Sequence, residues 1–262
     1  MPTAGSERVT TQVGDSSIVT FVDGAGPDLV ILPSYGRDGG VDYDDVTARA
    51  VADGWRVLRP QPRGVLGSVG PMEGVTFRDL AHDVAGVIAA LAGGSVVVIG
   101  HAFGNLLARM VTTEHPDLVT AVALVASQAK EVPERIAAAP FVVGDPARPA
   151  NERLAVLQEV FFAPGNDARV WLDGWYPQTL AMQRAAIGAV SLQEYWTCGA
   201  VPLLEVTPEH DAFKARRYWQ EMRDDFGARV TTVTVAGAGH ALFPEQPHAA
   251  AEAILCWARR FR

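Results

Sequence analysis

Long hydrophobic runs are missing from this sequence. Apolar stretches such as Ser95–Ile99 and Ala121–Ala126 have the length of a β-strand, whereas a membrane-spanning helix needs about 20 apolar residues. The first residues also lack the basic start and the apolar centre of a signal peptide. We therefore expect a cytoplasmic protein that has no membrane partner.

Clusters of basic residues are missing as well. The chain has 22 Lys and Arg against 30 Asp and Glu, which gives a net charge of −8. A nucleic acid or an anionic membrane would be recognised by a basic patch, so neither is expected as a partner. The oligomeric state is left open by the sequence.

Cysteine is scarce, and metal-ligand patterns are absent from the sequence. Cys198 and Cys256 are the only cysteines, and their spacing favours two free thiols in a reducing compartment over a disulfide. The sequence contains no H-x-x-x-H motif and no cluster of Cys and His. No metal and no other cofactor are predicted.

Strands and helices alternate along most of the 262 residues, which suffice for one large α/β domain. Such alternation predicts right-handed βαβ units and a mostly parallel sheet. The predicted strands are Arg8–Val13, Ser17–Val22, Asp28–Pro33, Trp55–Arg59, Ser95–Ile99, Val119–Ala126, Pro202–Val206 and Arg229–Val235. The predicted helices are Val41–Ala52, Thr76–Leu91, Phe103–Glu114, Ala212–Phe226 and Pro247–Phe261.

The alternation stops between Ser127 and Gly199, where no buried strand is indicated. This stretch is rich in aromatic side chains, namely Phe141, Phe161, Phe162, Trp171, Trp175, Tyr176, Tyr195 and Trp196. We expect a core formed by residues 1–126 and 200–262, with a helical lid at 127–199 over an apolar cavity. Trp175 and Tyr176 follow Gly174 in a loop-like stretch, and we expect them to contact the substrate.

The segment Val96–Gly104 reads VVVIGHAFG, a buried strand followed by a Gly-rich turn and an amphipathic helix. In α/β-hydrolases, G-x-S-x-G in this context forms the nucleophile elbow, and the whole chain resembles that superfamily, in particular its serine esterases and lactonases. The resemblance implies an α/β-hydrolase fold, a mostly parallel doubly wound sheet with a helical lid inserted before the penultimate strands. Ala102 stands at the nucleophile position. The alternatives for Gly100–Gly104 are an ordinary strand-to-helix turn and a dinucleotide site, which would need G-x-G-x-x-G in the first βα turn.

The resemblance also implies a histidine and an acid that follow the last two strands. His240 lies in the Gly-rich loop AGAGHAL, and Asp211 ends the segment PLLEVTPEHD. The carboxylate would hold one tautomer of the imidazole and stabilise its protonated form. A capping or packing role remains the alternative for the histidine, and Glu205 and Glu209 remain competitors for the acid.

Two backbone N–H groups would form the oxyanion hole of such a site. One belongs to Phe103, directly after the nucleophile position. The other is expected from the loop after the strand Asp28–Pro33, where related enzymes often have His-Gly and this chain has Pro33-Ser34, so that Tyr35 supplies the N–H. The neighbouring Ser34 and His101 are expected beside the substrate.

The predicted activity is hydrolysis of an apolar carboxylic ester or lactone in a serine-containing form, which is lost or impaired with Ala102. Three interpretations of this alanine stay open. It is an engineered knockout, or it marks a ligand-binding pseudo-enzyme, or the site performs lyase or proton-abstraction chemistry that needs only the base His240 with Asp211 and an anion hole. Retention of the histidine and the acid argues against long decay of the site.

Overall fold

A computed structural model describes residues 6–262 and contains an eight-stranded sheet. The strand order is β1-β2-β4-β3-β5-β6-β7-β8. Strands β3 to β8 pair in parallel, whereas β1 with β2 and β2 with β4 pair antiparallel. The strands are β1 Glu7–Val13, β2 Ser16–Gly24, β3 Asp28–Leu32, β4 Arg56–Pro60, β5 Val96–His101, β6 Val119–Val125, β7 Leu203–Pro208 and β8 Val230–Val235.

Helices cover both faces of the sheet, as the alternation of the sequence predicts. Side chains of α2 and α3 pack with one face, and side chains of α1 and α9 pack with the other. Every residue of the central strand β5 is buried, which is typical of a strand covered on both sides. The helices are α1 Asp44–Ala52, α2 Phe77–Leu91, α3 Phe103–Glu114, α4 Glu134–Val143, α5 Ala150–Val156, α6 Pro177–Gly188, α7 Glu221–Phe226, α8 Leu242–Glu245 and α9 Pro247–Ala258.

The segment between β6 and β7 consists of helices and loops over residues 127–199, with no strand in this fully described stretch. It holds α4, α5, a π-helical turn at Leu157–Phe161 and α6. Phe161, Phe162 and Trp171 form a buried cluster that also includes Phe213 and Ala241 from the loops after β7 and β8, whereas Tyr195 and Trp196 pack into the core with α2 and α3. The segment therefore packs directly on the loops at the carboxyl edge of the sheet.

One predicted helix, Ala212–Phe226, is wrong over its first half. The observed helix α7 begins only at Glu221, after a short 3₁₀ turn at Arg216–Tyr218. The backbone N–H of Phe213 is bonded to the Asp211 carboxylate at 2.9 Å, and the Lys214 ammonium forms a fully buried ion pair with Glu205. These contacts draw the chain inward and replace the first turns of the expected helix.

Both cysteines are free thiols in the structure. Cys198 is buried and Cys256 is exposed. Within residues 6–262, no helix is both long enough and apolar enough to span a bilayer.

Candidate active site

The turn between β5 and α3 is sharp and strained. Ala102 has φ 51° and ψ −113°, a conformation that costs a non-glycine residue on the order of 1–3 kcal/mol. Glycines on either side make the turn sterically feasible. A Cβ at Gly100 would lie 2.4 Å from the carbonyl oxygen of Gly104, and a Cβ at Gly104 would lie 2.2 Å from that of Leu32. Ala102 thus occupies a strained strand-to-helix turn that the two flanking glycines make possible.

His240 and Asp211 form a buried hydrogen-bonded pair at the carboxyl edge of the sheet. The Nδ1 atom of His240 lies 3.0 Å from Oδ1 and 3.1 Å from Oδ2 of Asp211. Since a carboxylate only accepts, Nδ1 carries a proton, and this leaves Nε2 of the neutral imidazole with a free lone pair. Within residues 6–262, Nε2 has no hydrogen-bond partner, and His240 lines a cavity.

The two competing acids are engaged elsewhere. Glu205 is fully buried, where it accepts a hydrogen bond of 2.8 Å from the Ser127 hydroxyl and pairs with Lys214. Glu209 accepts from the backbone N–H of Gly237 at 3.0 Å. Asp211 is therefore the carboxylate that contacts the histidine.

Aromatic rings fix the plane of the His240 imidazole. Phe213 stacks on it with ring centroids 4.0 Å apart and an angle of 28°, and Phe161 meets it edge-on at 5.7 Å. The loop that carries the histidine is held by Glu245, which accepts from the N–H of Gly239 at 2.8 Å and of Ala163 at 2.6 Å. Burial raises the pKa of Glu245. The imidazole can turn little without breaking these contacts.

The loop after β3 presents a backbone N–H at Tyr35, opposite the first residue of α3. In the described chain, the N–H groups of Tyr35 and Phe103 have no acceptor from the protein. The side chains of these two residues are in contact, with ring centroids 4.4 Å apart. Two unpaired donors beside one cavity are suited to an oxygen that gains negative charge.

The helical segment 127–199 holds this loop from both sides. The N–H of Gly36 donates to Gln183 Oε1 at 2.8 Å, and its carbonyl accepts from the N–H of Tyr176 at 2.8 Å. The Arg37 guanidinium contacts the rings of both Trp171 and Trp175, at 4.6 and 5.3 Å from their centroids. The Tyr35 N–H is therefore positioned by residues that lie far away in the sequence.

His101 lies behind the turn and is fully buried. Its Nε2 lies 2.9 Å from the backbone carbonyl oxygen of His240, so Nε2 donates, and Nδ1 accepts from the Tyr43 hydroxyl at 2.9 Å. That hydroxyl in turn accepts from the N–H of Ser34 at 3.1 Å. Burial, with a smaller contribution from the charge on His240, lowers the pKa of His101 to about 3. The neutral imidazole of His101 thus links the turn after β5 to the loop that carries His240 and, through Tyr43, to the loop after β3.

The cavity has a volume of about 180 Å³. Ala102 and His240 line it together with Ser34 and Trp175. Most of the remaining wall is aromatic or aliphatic, formed by Tyr35, Phe103, Leu106, Ala126, Gln128, Ala137, Pro140, Phe141, Phe161, Ile187, Tyr195 and Phe213. A mostly apolar wall with a few convergent polar groups is the usual composition of a small-molecule site.

Comparison with known proteins supports the assignment of the fold. The model of a family described as "Alpha/beta hydrolase family" matches residues 29–253. The chain belongs to the alpha/beta hydrolase family. The sheet order and the parallel strands described above are those of the alpha/beta hydrolase fold, which confirms the predicted fold class.

Solved structures of esterases share this fold at low sequence identity. An esterase from Exiguobacterium antarcticum superposes with a TM-score of 0.79 at 18% identity, covering 97% of this chain and 100% of that one. A thermophilic esterase from Thermogutta terrifontis gives 0.78 at 19% identity, with coverages of 98% and 99%. A hydrolase from Pseudomonas aeruginosa PA01 gives 0.75 at 24% identity, with coverages of 97% and 98%.

The alpha/beta hydrolase core brings most of the residues singled out in the sequence to one cavity. Ala102, His240, Tyr35, Phe103, Ser34 and Trp175 line it, and Asp211 stands behind His240. Two expected substrate contacts lie outside the wall. His101 is sealed behind the turn. Tyr176 instead donates from its hydroxyl to Asp38 at 3.2 Å, an arrangement in which burial and that carboxylate raise its pKa to about 12.

Several residues that shape the site have little recognisable signal in the sequence. Phe213 stacks on His240 although the sequence pattern predicts a helix there, and Tyr43 bonds to His101 from the end of the 3₁₀ turn Val41–Tyr43. Gln183 accepts from the N–H of Gly36, 147 positions away, and Glu245 accepts from the N–H of Ala163, 82 positions away. Only the contact of Phe213 with His240 could have been predicted from the sequence. Phe213 lies two positions after Asp211 and therefore stays close to the histidine that Asp211 contacts.

Proposed function

We propose that this alpha/beta hydrolase binds a small apolar carboxylic ester or lactone, with Ala102 at the nucleophile position. His240 is the base, Asp211 orients it, and the N–H groups of Tyr35 and Phe103 form the oxyanion hole. The observation that carries the proposal is the unpartnered Nε2 of His240, which shares one cavity with Ala102 while Nδ1 is bonded to Asp211. The helical segment 127–199 serves as the lid over the bound substrate.

Ala102 excludes a covalent acyl-enzyme at this position, because a methyl group has no lone pair to attack a carbonyl. In the remaining route, His240 accepts a proton from a water molecule as that water attacks the carbonyl carbon, and the C=O electron pair moves to the carbonyl oxygen. The tetrahedral intermediate then collapses: the bond from the carbonyl carbon to the alkoxy oxygen breaks, and protonated His240 returns the proton to that leaving oxygen. Such hydrolysis lacks the triad serine, whose removal costs on the order of 10⁶ in turnover in a well-studied protease. The chain as it stands is therefore an impaired hydrolase.

Introducing a serine tests this proposal. The Ala102→Ser variant should raise kcat/KM for p-nitrophenyl butyrate on the order of 10³-fold or more over the parent chain, since it supplies the missing nucleophile to an otherwise complete site. The double variant Ala102→Ser/His240→Ala should fall back to the parent rate. A folded Ala102→Ser variant without gain on short- and medium-chain esters and lactones would refute the assigned geometry.

A second candidate is proton abstraction next to a carbonyl group. The same free Nε2 favours it, because with no nucleophile the base can remove a C–H proton from the ligand itself. The C–H bond breaks, its proton moves to Nε2, and its electron pair passes to the carbonyl oxygen in the hole formed by Tyr35 and Phe103. Proton NMR in D₂O tests this candidate, which requires exchange of the α-protons of bound ketones or esters in the parent chain and none in His240→Ala.

A further inference from the structure

Two tyrosine hydroxyl groups in the cavity lack hydrogen-bond partners. Tyr35 and Tyr195 both line the cavity, and within residues 6–262 neither hydroxyl is bonded to any other group. Tyr195 is only 4% exposed. Neither oxygen is among the fully buried atoms, and tyrosine hydroxyls in a largely apolar wall usually have a partner, so these two are open to a polar group of a ligand.

The two tyrosines belong to one cavity wall and to one group of packed rings. The Tyr35 ring contacts Phe103, at 4.4 Å, and Phe141, at 5.8 Å. The Tyr195 ring packs edge-on against Phe77 at 5.4 Å, and Phe77 in turn contacts Phe103 at 5.8 Å. Both rings are fixed by packing, so each hydroxyl has a defined place on the wall of the cavity.

The chemistry of the wall limits what these oxygens recognise. Among the described residues that line the cavity there is no Lys or Arg. Arg184 and Arg109 act on the phenols of Tyr35 and Tyr195 from outside the wall, so a carboxylate or phosphate in the cavity would have no direct positive partner and its burial would be costly. Burial raises the pKa of both phenols, so near neutral pH they are uncharged donors and acceptors. The complementary group is a neutral oxygen, as found in a hydroxyl or a ketone.

We propose that Tyr35 and Tyr195 form a polar subsite for a neutral oxygen of the substrate. The substrates are then esters or lactones that carry a hydroxyl or keto group apart from the reacting carbonyl. This inference rests on the proposed function, since it adds a second anchor to the same cavity. Tyr35 serves the site twice, with its backbone N–H at the oxyanion hole and its side chain at the subsite.

Matched ligands test the subsite in the parent chain, where Ala102 leaves the esters largely intact. The probes are methyl phenylacetates with a hydroxyl at ring position 2, 3 or 4, each compared with the methyl-substituted isostere at the same position. Binding is followed by tryptophan fluorescence, because Trp175 lines the cavity. We expect at least one hydroxyl isomer to bind about 3- to 10-fold more tightly than its isostere, the range of a net hydrogen bond.

Removal of the hydroxyls should abolish that difference. Tyr195→Phe and Tyr35→Phe should each bring the ratio of the Kd of the methyl isostere to the Kd of the hydroxyl isomer close to unity. Since neither hydroxyl has a partner in the protein, both variants should melt like the parent. Tyr218→Phe is the matched control, because Tyr218 lies in the 3₁₀ turn Arg216–Tyr218, away from the cavity wall, and it should keep the full preference.

The outcomes separate the two proposals. Esters that bind without any preference for hydroxyl isomers would refute the subsite alone, as would a preference that survives in both Phe variants. If none of the six esters binds, the proposed function fails and the subsite fails with it. A carboxylate at the preferred position should bind more weakly than the hydroxyl, and tighter binding would also contradict a neutral subsite.

Discussion

Protonation of His101 should control the acid stability of this protein. Its pKa is about 3 in the folded chain against the ordinary value of 6.5, because the imidazole is fully buried, with a smaller contribution from the nearby His240. As pH falls below 6.5, His101 becomes protonated in the unfolded chain but stays neutral in the folded chain. The free energy of unfolding therefore decreases progressively until the pH reaches the pKa of the folded state. At about pH 4.5, two units below the unfolded value, this amounts to about 2.7 kcal/mol.

The assay is urea denaturation of the parent chain and of His101→Gln at about pH 8 and about pH 4.5. The glutamine amide can still donate to the carbonyl oxygen of His240 but does not titrate, so the loss of unfolding free energy between the two conditions should be about 2.7 kcal/mol smaller in the variant. His82→Gln is the control, since His82 is an exposed histidine on α2. Equal pH slopes for the parent and His101→Gln would refute the neutral, buried role assigned to His101.

Three further predictions concern the turn and the cavity. Gly104→Ala should lower the free energy of unfolding by roughly 3 kcal/mol, because the new Cβ would meet the Leu32 carbonyl oxygen at 2.2 Å. Gly94→Ala is the control: a Cβ there has open space, so the free energy of unfolding should change little. Equal effects of the two substitutions would contradict the close approach at Gly104. Ala102→Gly should stabilise the protein by about 1 kcal/mol in the same denaturation assay, because glycine adopts a positive φ without strain. The control Ala89→Gly, on the exposed side of α2, should destabilise the protein by about as much. A destabilising Ala102→Gly would show that the turn is unstrained. Trp175→Ala should raise the Kd of bound esters about tenfold, because an aromatic contact worth about 1–1.5 kcal/mol is lost. The melting temperature should change by no more than a few degrees. An unchanged Kd would show that Trp175 does not contact the substrate.

Local patterns in the sequence predict the core of the fold well. The run VVVI and the residues after it place β5 and α3, and α3 spans Phe103–Glu114 both in prediction and in structure. Buried parallel strands can be predicted from the sequence because both of their faces are apolar. The turn between β5 and α3 can be predicted because only glycine fits at Gly100 and Gly104. The position of Ala102 follows from these two signals.

The surroundings of the site are less readable, since they depend on contacts between distant residues. The sequence favours a helix from Ala212, yet the carboxylate of Asp211 and the buried pair of Lys214 with Glu205 hold that stretch as a loop. Tyr176 was expected in the cavity wall from its place beside Trp175, but Asp38, which lies 138 positions earlier, accepts from its hydroxyl. No local pattern encodes such pairings.

The most direct test of the central claim is covalent labelling of the Ala102→Ser variant by a fluorophosphonate, followed by intact-mass spectrometry. Such a probe reacts only with a serine that a nearby base activates. We expect one stoichiometric adduct on the introduced serine, none on the parent chain and none on Ala102→Ser/His240→Ala. A correctly folded Ala102→Ser variant that stays unlabelled would contradict the assignment of His240, Asp211 and the turn at Ala102 to one active site.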